Sequence, residues 1–377
     1  MKTRKIFGQP SFVIGNGVVQ AAITEVGGHL GPVTFRAGRR KIQPFSVAPW
    51  WNEKLPAGTP NLLRVLRGDF FCLPFGGNAK PWRGEKHPPH GETANARWKF
   101  EAVHRNRDEA TLELSLKTKV RPGRVLKRIR LLRGQPVLYQ EHVISGMTGP
   151  MSLGHHAMLK FPDAEGAGRL STSKFILGQV FVEPAEQPSQ RGYSVLKPGA
   201  TFERLDAVPD ITGQTADLSR YPARRGFEDI AMLVADPTLK LAWNAVAFPE
   251  EGYVWFSLRD PRVLASTVLW ISNGGRHYPP WNGRHVNVMG VEDVTAWFHY
   301  GLAQSAEANP LTTLGYPTHK VLSADAPLSV RYIMAVAPIG KRFERVANIE
   351  WDDRSVTLHG EAGEVVKVAV DVAFLGI

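Results

Sequence analysis

A chain of 377 residues with 43% hydrophobic and 10% aromatic content can bury a large core, which excludes an intrinsically disordered polymer. Its single cysteine, Cys72, excludes an internal disulfide framework and sits in an apolar FFCLPF setting that reads as a small buried hydrophobe. The net charge of +11, concentrated partly in RAGRRK (36–41) and RPGRVLKRIRLLRG (121–134), brings nucleic acid or an anionic ligand into consideration.

Taken from the start, MKTRKIFGQPSFVIGNG is basic but has no apolar run long enough for a secretory leader, and no later run reaches membrane-spanning length. The expectation is a cytoplasmic protein with no membrane partner. Period-two patterning or β-branched enrichment then predicts strands at 13–19, 20–26, 32–36, 98–104, 110–119, 125–132 and 137–145. In VLKRIRLL the basic side chains share the run with strand-forming aliphatics, so it reads as a strand with one basic, solvated face and not as a nucleic-acid arm.

The second half continues in kind, with predicted strands at 174–182, 230–235, 239–247, 253–258, 266–272, 286–291, 328–337, 355–359 and 365–374. Helical periodicity is confined to short stretches at 59–66, 298–308 and 310–314. So many strands, punctuated by 36 Gly and 28 Pro, predict an all-β fold, a large antiparallel β-sandwich. No linker or fixed-period repeat divides the chain, so residues 1–377 read as one domain. The segment 183–225, rich in Pro, Gln, Ser and Arg, is expected to cross the surface as an irregular excursion.

Within this frame Glu292 interrupts the apolar run NVMGVEDVT, where a carboxylate is either a general base or an ordinary strand-borne acid. Alternation sends Asp293 to the opposite face, so only one of the two can point into a given cleft. The adjacent pair His155 and His156 in LGHHAMLKFP divides in the same way, and an imidazole is well placed to give a proton at neutral pH. No Cys set or second His at ligand spacing makes that pair a metal site. His87 and His90 lie on a Pro- and Gly-rich loop, HPPHGETANARW. Arg64 and Arg67 precede GDFFCLPFGG, where a guanidinium can fork two hydrogen bonds to vicinal hydroxyls or to an anion. Trp270, Trp281 and Trp297 flank the Glu292 run, an aromatic lining on which sugar rings stack, although at least one of them is expected only to pack. Neither GxxxxGK[ST], GxGxxG nor GxSxG is present in its required context, which leaves nucleotide hydrolysis, hydride transfer and serine-nucleophile chemistry without support.

Together these stretches resemble the aldose 1-epimerase, or galactose mutarotase-like, superfamily, including its hexose-6-phosphate mutarotase branch. ITEVGGHL is similar to the family's opening strand, RGDFFCLPFGG to its Arg–Gly segment, HGETANARW to its His–Gly…Trp segment, LGHHAMLKF to the strand of its catalytic His, and VMGVEDVT to that of its catalytic Glu. The resemblance spans about residues 13 to 340. It implies a β-supersandwich enzyme that interconverts the anomers of a sugar or sugar phosphate without cofactor or metal, as a monomer or homodimer that does not bind nucleic acid. Residue by residue, it implies Glu292 as general base, His156 as general acid, and His90 and Arg67 as substrate contacts. His155 and Trp270 join them as candidate substrate contacts from the same stretches. Where the phosphate branch has an Arg after the His–Gly pair, this chain has Ala94, with Arg97 nearby, and Asp229 in GFEDIAML stands nearest to the family's sugar-binding Asp. Glu292 and His156 are expected to face one cleft about a sugar ring apart. The alternative is a catalytically silent carbohydrate-binding protein on the same scaffold.

Overall fold

The computed structural model describes all 377 residues and is built almost wholly from antiparallel strands. Two large sheets dominate, one of nine strands and one of eight. The nine-stranded sheet includes Glu109–Thr118, Gly123–Leu132, Val137–Ser145, Ala242–Phe248, Tyr253–Arg259 and Leu328–Pro338. The eight-stranded sheet includes Phe71–Cys72, Leu153–His155, Phe227–Ala235, Ser266–Asn273 and Val288–Thr295, with Ala157–Lys160 also paired to Val288–Thr295. A five-stranded N-terminal sheet and a three-stranded C-terminal sheet complete the plan.

Alternation along the strands sorts side chains into layers. Leu269, Ile271, Met289 and Val291 join a 52-residue core together with Leu112, Leu138, Trp255 and Met334 of the other large sheet. The intervening residues Val268, Trp270, Val288 and Val294 turn the other way into a second cluster with Trp50, Leu62, Phe70 and Trp281. A third cluster lies where Ile349, Val356 and Leu358 of the C-terminal sheet meet Ala245, Phe256 and Ile333. The central strands Ser266–Asn273 and Val288–Thr295 are thus covered on both faces and buried throughout their length.

Several predicted boundaries shift. The expected strand at 13–19 is cut by a turn, because the Asn16 side chain accepts hydrogen bonds from Val18 N and Val19 N while Gly17 takes φ of +90°. The strands are Gln9–Gly15 and Val19–Thr24. The last expected strand, 365–374, ends at Ala369 and continues as a short 3₁₀ turn, Val372–Leu375. The three helices, Asn61–Val65, Leu302–Ala306 and Pro310–Thr313, are single turns within the expected stretches. The basic face of Gly123–Leu132 is a ladder of cross-strand ion pairs. Arg128 bonds Glu113 and Glu141, and Arg130 bonds Glu109 and Asp371. Its charge is locally compensated. No helix is long and apolar enough to cross a membrane.

Candidate active site

A cavity of about 320 Å³ opens on the face of the eight-stranded sheet that carries the second cluster. Strand register brings two titratable groups together at its floor. Gly154 lies opposite Val294 and Ala157 opposite Val291, and the same register carried between them sets His156 against Glu292. His156 Nε2 stands 3.1 Å from Glu292 Oε1, and both side chains are less than 8% exposed. The two groups touch, where a separation of one sugar ring was expected from the resemblance. Gly290 makes room for the carboxyl, since a Cβ there would overlap Glu292 Oε1.

The walls follow from neighbouring elements. Phe70 stacks on His156 with centroids 4.4 Å apart, and His90 meets the same imidazole edge-on at 4.9 Å. Trp270 borders His156 at 5.6 Å, held by Nε1 donating to Glu228 Oε2 at 3.2 Å. Arg276 lies over both Trp270 and Trp281, its guanidinium carbon 5.2 and 4.8 Å from the ring centroids. Leu62, Leu66, Tyr278 and His299 close the remaining sides. The whole is an apolar pocket with a few convergent polar groups, the usual form of a small-molecule site. No group of three or more His, Cys, Asp and Glu side chains is arranged to hold a metal ion.

Burial governs the electrostatics. It pushes the Glu292 carboxyl well above the usual carboxylate range, with Arg276 pulling it back and Asp69 reinforcing the rise. It pushes His156 well below the ordinary imidazole value, and His90 nearby adds to the fall. His90 is lowered to about 3 and His299 to about 4, both chiefly by desolvation, so these rings are neutral at pH 7. Burial also lowers Arg276, but the carboxyls of Glu228 and Glu186 and the hydroxyl of Tyr278 more than restore it, and it remains a cation.

Of the residues singled out in the sequence, His90, His156, Trp270, Trp281 and Glu292 line this cavity. Others lie elsewhere. Arg67 is fully buried and spends its guanidinium on the backbone oxygens of Val65, Ile6 and Phe7, so it ties down the N-terminal strands instead of contacting a ligand. His155 faces the inter-sheet core, where Nδ1 meets Asp69 Oδ2 at 2.9 Å and the ring stacks on Tyr332. Arg97 has a side chain 66% exposed and pairs with Glu25 beside a different surface groove. Asp229 accepts the backbone N–H groups of Val195 and Leu196, a structural role that anchors the excursion. Trp297 is packed against Phe298 outside the cavity. Asp293 lies between the sheets, bonded to Asn244, Ser257, Thr267, Tyr332 and Arg259.

The solved structure of the GalM/aldose epimerase homologue from C. elegans matches with a TM-score of 0.54 and 13% identity, covering 88% of this chain and 100% of that one. The galactose mutarotase related enzyme from Lactobacillus acidophilus matches at 0.53 and 13%, covering 88% and 98%. This chain has the galactose mutarotase-like fold. A galactose mutarotase-like protein from Clostridium acetobutylicum also matches, at 0.53 and 12%, covering 90% and 98%. No protein-family model and no curated protein matches the sequence.

Two further side chains, Arg276 and Tyr278, line the cavity without standing among the residues singled out in the sequence. Arg276 and Tyr278 were passed over within NGGRHYPPWNGRH, although the cluster of aromatics and cations there was the available signal. Glu228 was passed over for its neighbour Asp229. Alternation from Ile230, which lines the cavity, puts residue 228 and not 229 on that face.

Proposed function

We propose that the chain interconverts the α and β anomers of a sugar, with Glu292 and His156 as its acid–base pair. The supporting observation is their 3.1 Å contact on the floor of an aromatic-walled cavity. A hemiacetal replaces that contact with bonds from its C1 hydroxyl and its ring oxygen, which are separated by one carbon. Glu292 takes the hydroxyl proton, His156 gives a proton to the ring oxygen, and the bond between C1 and that oxygen breaks. Rotation about C1–C2 and reclosure on the other carbonyl face yield the other anomer.

The chemistry needs one proton shared between the two groups, and the opposed shifts of Glu292 upward and His156 downward hold the pair in that state across neutral pH. The charged and neutral forms of the pair differ only in which end of the contact carries the proton. Phe70, Leu62, Leu66, Trp270 and Trp281 give the cavity an apolar lining for the ring of a pyranose, and Arg276 offers donors for its hydroxyls.

The test is anomer exchange followed by polarimetry or NMR on free aldoses. Glu292→Gln is expected to lower kcat by about 10²–10⁴-fold, the usual contribution of a positioned acid or base. A variant that retains full exchange overturns the proposal, and tight sugar binding without exchange by the wild type leaves a carbohydrate-binding protein.

A further inference from the structure

Arg276 is the only Lys or Arg among the residues lining the cavity, and its charge is already taken. Its Nε donates to Glu186 Oε1 at 2.5 Å, in an ion pair whose side chains are only 17% and 9% exposed. Tyr278 Oη reaches the same carboxyl oxygen at 3.5 Å. Glu186 comes from the irregular excursion, but it is not a loose surface acid. Ala185 N bonds Ser194 Oγ, Ser194 Oγ donates to Glu228 O, and Glu228 N donates to Tyr193 O, so the excursion is stitched to the strand that flanks the cavity. Tyr300 Oη donates to Glu183 Oε1 at 2.7 Å and adds a second tie.

Arg276 makes no other side-chain hydrogen bond, so its remaining N–H groups are free as donors while Glu186 balances its charge. The three imidazoles around them add no cation at neutral pH. An anionic sugar entering the cavity meets a guanidinium whose charge Glu186 already balances from behind, so little net attraction is left to offset the loss of the anion's hydration. An uncharged sugar carries no such cost and meets the Arg276 donors beside the Glu292–His156 pair.

We propose that Glu186 is a specificity-determining residue that reserves the cavity for uncharged sugars by occupying Arg276, so that removing its charge admits anionic ones. This rests on the sugar-binding reading above and adds to it the substrate class and the residue that selects it.

The experiment measures calorimetric binding and anomer exchange of glucose, glucuronate and glucose 6-phosphate with wild type, Glu186→Gln and Glu186→Asp. The wild type is expected to favour glucose, and Glu186→Gln to raise the anion-to-glucose ratio by about tenfold or more. A gain for both anions points to charge alone, and a gain for glucuronate alone points to charge together with limited space. Glu186→Asp keeps the charge and is expected to keep the wild-type ratio, whereas a merely structural role would be disturbed by either change. Wild type binding either anion as tightly as glucose, or an unchanged ratio in Glu186→Gln, overturns the inference. If the wild type binds sugars but exchanges none, the catalytic proposal fails while the binding ratio still decides this one. If none of the three proteins binds any of the three sugars, both fail.

Discussion

Glu228 has no exposed surface, and its carboxyl is held by neutral donors, Trp270 Nε1 on one oxygen and Ser272 Oγ at 2.7 Å on the other. His285 Nδ1 completes the relay at 2.7 Å from the same hydroxyl. Burial raises Glu228 from 4.5 to about 8, against the pull of Arg276 and Ser272. A carboxyl raised on folding favours the native state most when protonated in both states, below about 4.5, and that contribution is lost as pH rises through about 8. Glu228→Gln removes the titration. Thermal melts are therefore expected to show the variant gaining on wild type between about pH 5 and pH 9, and a melting difference that does not change with pH would sink the assignment. Beside it, Asp229 illustrates the opposite use of a carboxylate. Burial raises it to about 7 despite two backbone donors, yet it faces away from the cavity and fastens the excursion.

At the level of the element, Val288–Thr295 is the strand on which the site depends. It pairs with Ser266–Asn273 on one side and with Leu153–His155 and Ala157–Lys160 on the other, so a single register fixes Glu292 against both His156 and Val268. Its two faces carry different chemistry, with Glu292 toward the cavity and Asp293 satisfied by five side chains between the sheets. A one-residue slip would exchange those roles and leave a buried anion without partners. Gly290 is the position where this strand needs the absence of a side chain. Its Cβ would overlap Glu292 Oε1 and lie 3.1 Å from Trp270 Cβ. Gly290→Ala is expected to lower kcat for anomer exchange by about 10²-fold, because displacing a catalytic group by about 1 Å costs that much, while the fold persists. Exchange at the wild-type rate with an unaltered melting profile would show that the carboxyl has other room to occupy.

For the whole molecule, the order of layers separates stability from chemistry. The C-terminal strands Val346–Asp352, Ser355–Gly360 and Val365–Ala369 cover the outer face of the nine-stranded sheet, on the far side of both large sheets from the cavity. Leu358 is fully buried in that outer cluster. Leu358→Ala is expected to destabilise the protein by about 2–5 kcal/mol in urea denaturation, through lost burial and the space left behind. Sugar binding and exchange by the folded fraction should be unchanged, and a large loss of either would mean that the layers are coupled. The ion-pair ladder on the same sheet belongs to this scale as well. Glu109, Glu113, Glu141 and Asp371 offset the basic side chains of Gly123–Leu132, so much of the local positive charge is compensated within the fold.

The sequence by itself determined the all-β class, most strand positions, the three helical turns and the division of His155 from His156 and of Glu292 from Asp293. These follow from alternation and turn chemistry, which act over a few residues and can be read locally. Tertiary structure decided which face of each strand meets the cavity, and hence that Glu228 supports the cavity wall through Trp270 while Asp229 turns away. It also decided that Arg276 supplies the guanidinium while Arg67 is absorbed by backbone oxygens far along the chain at Ile6 and Phe7. Such choices depend on strand pairing and loop placement over long separations, as in the contact of His156 with Glu292 and of Glu186 with Arg276, and no local pattern encodes them.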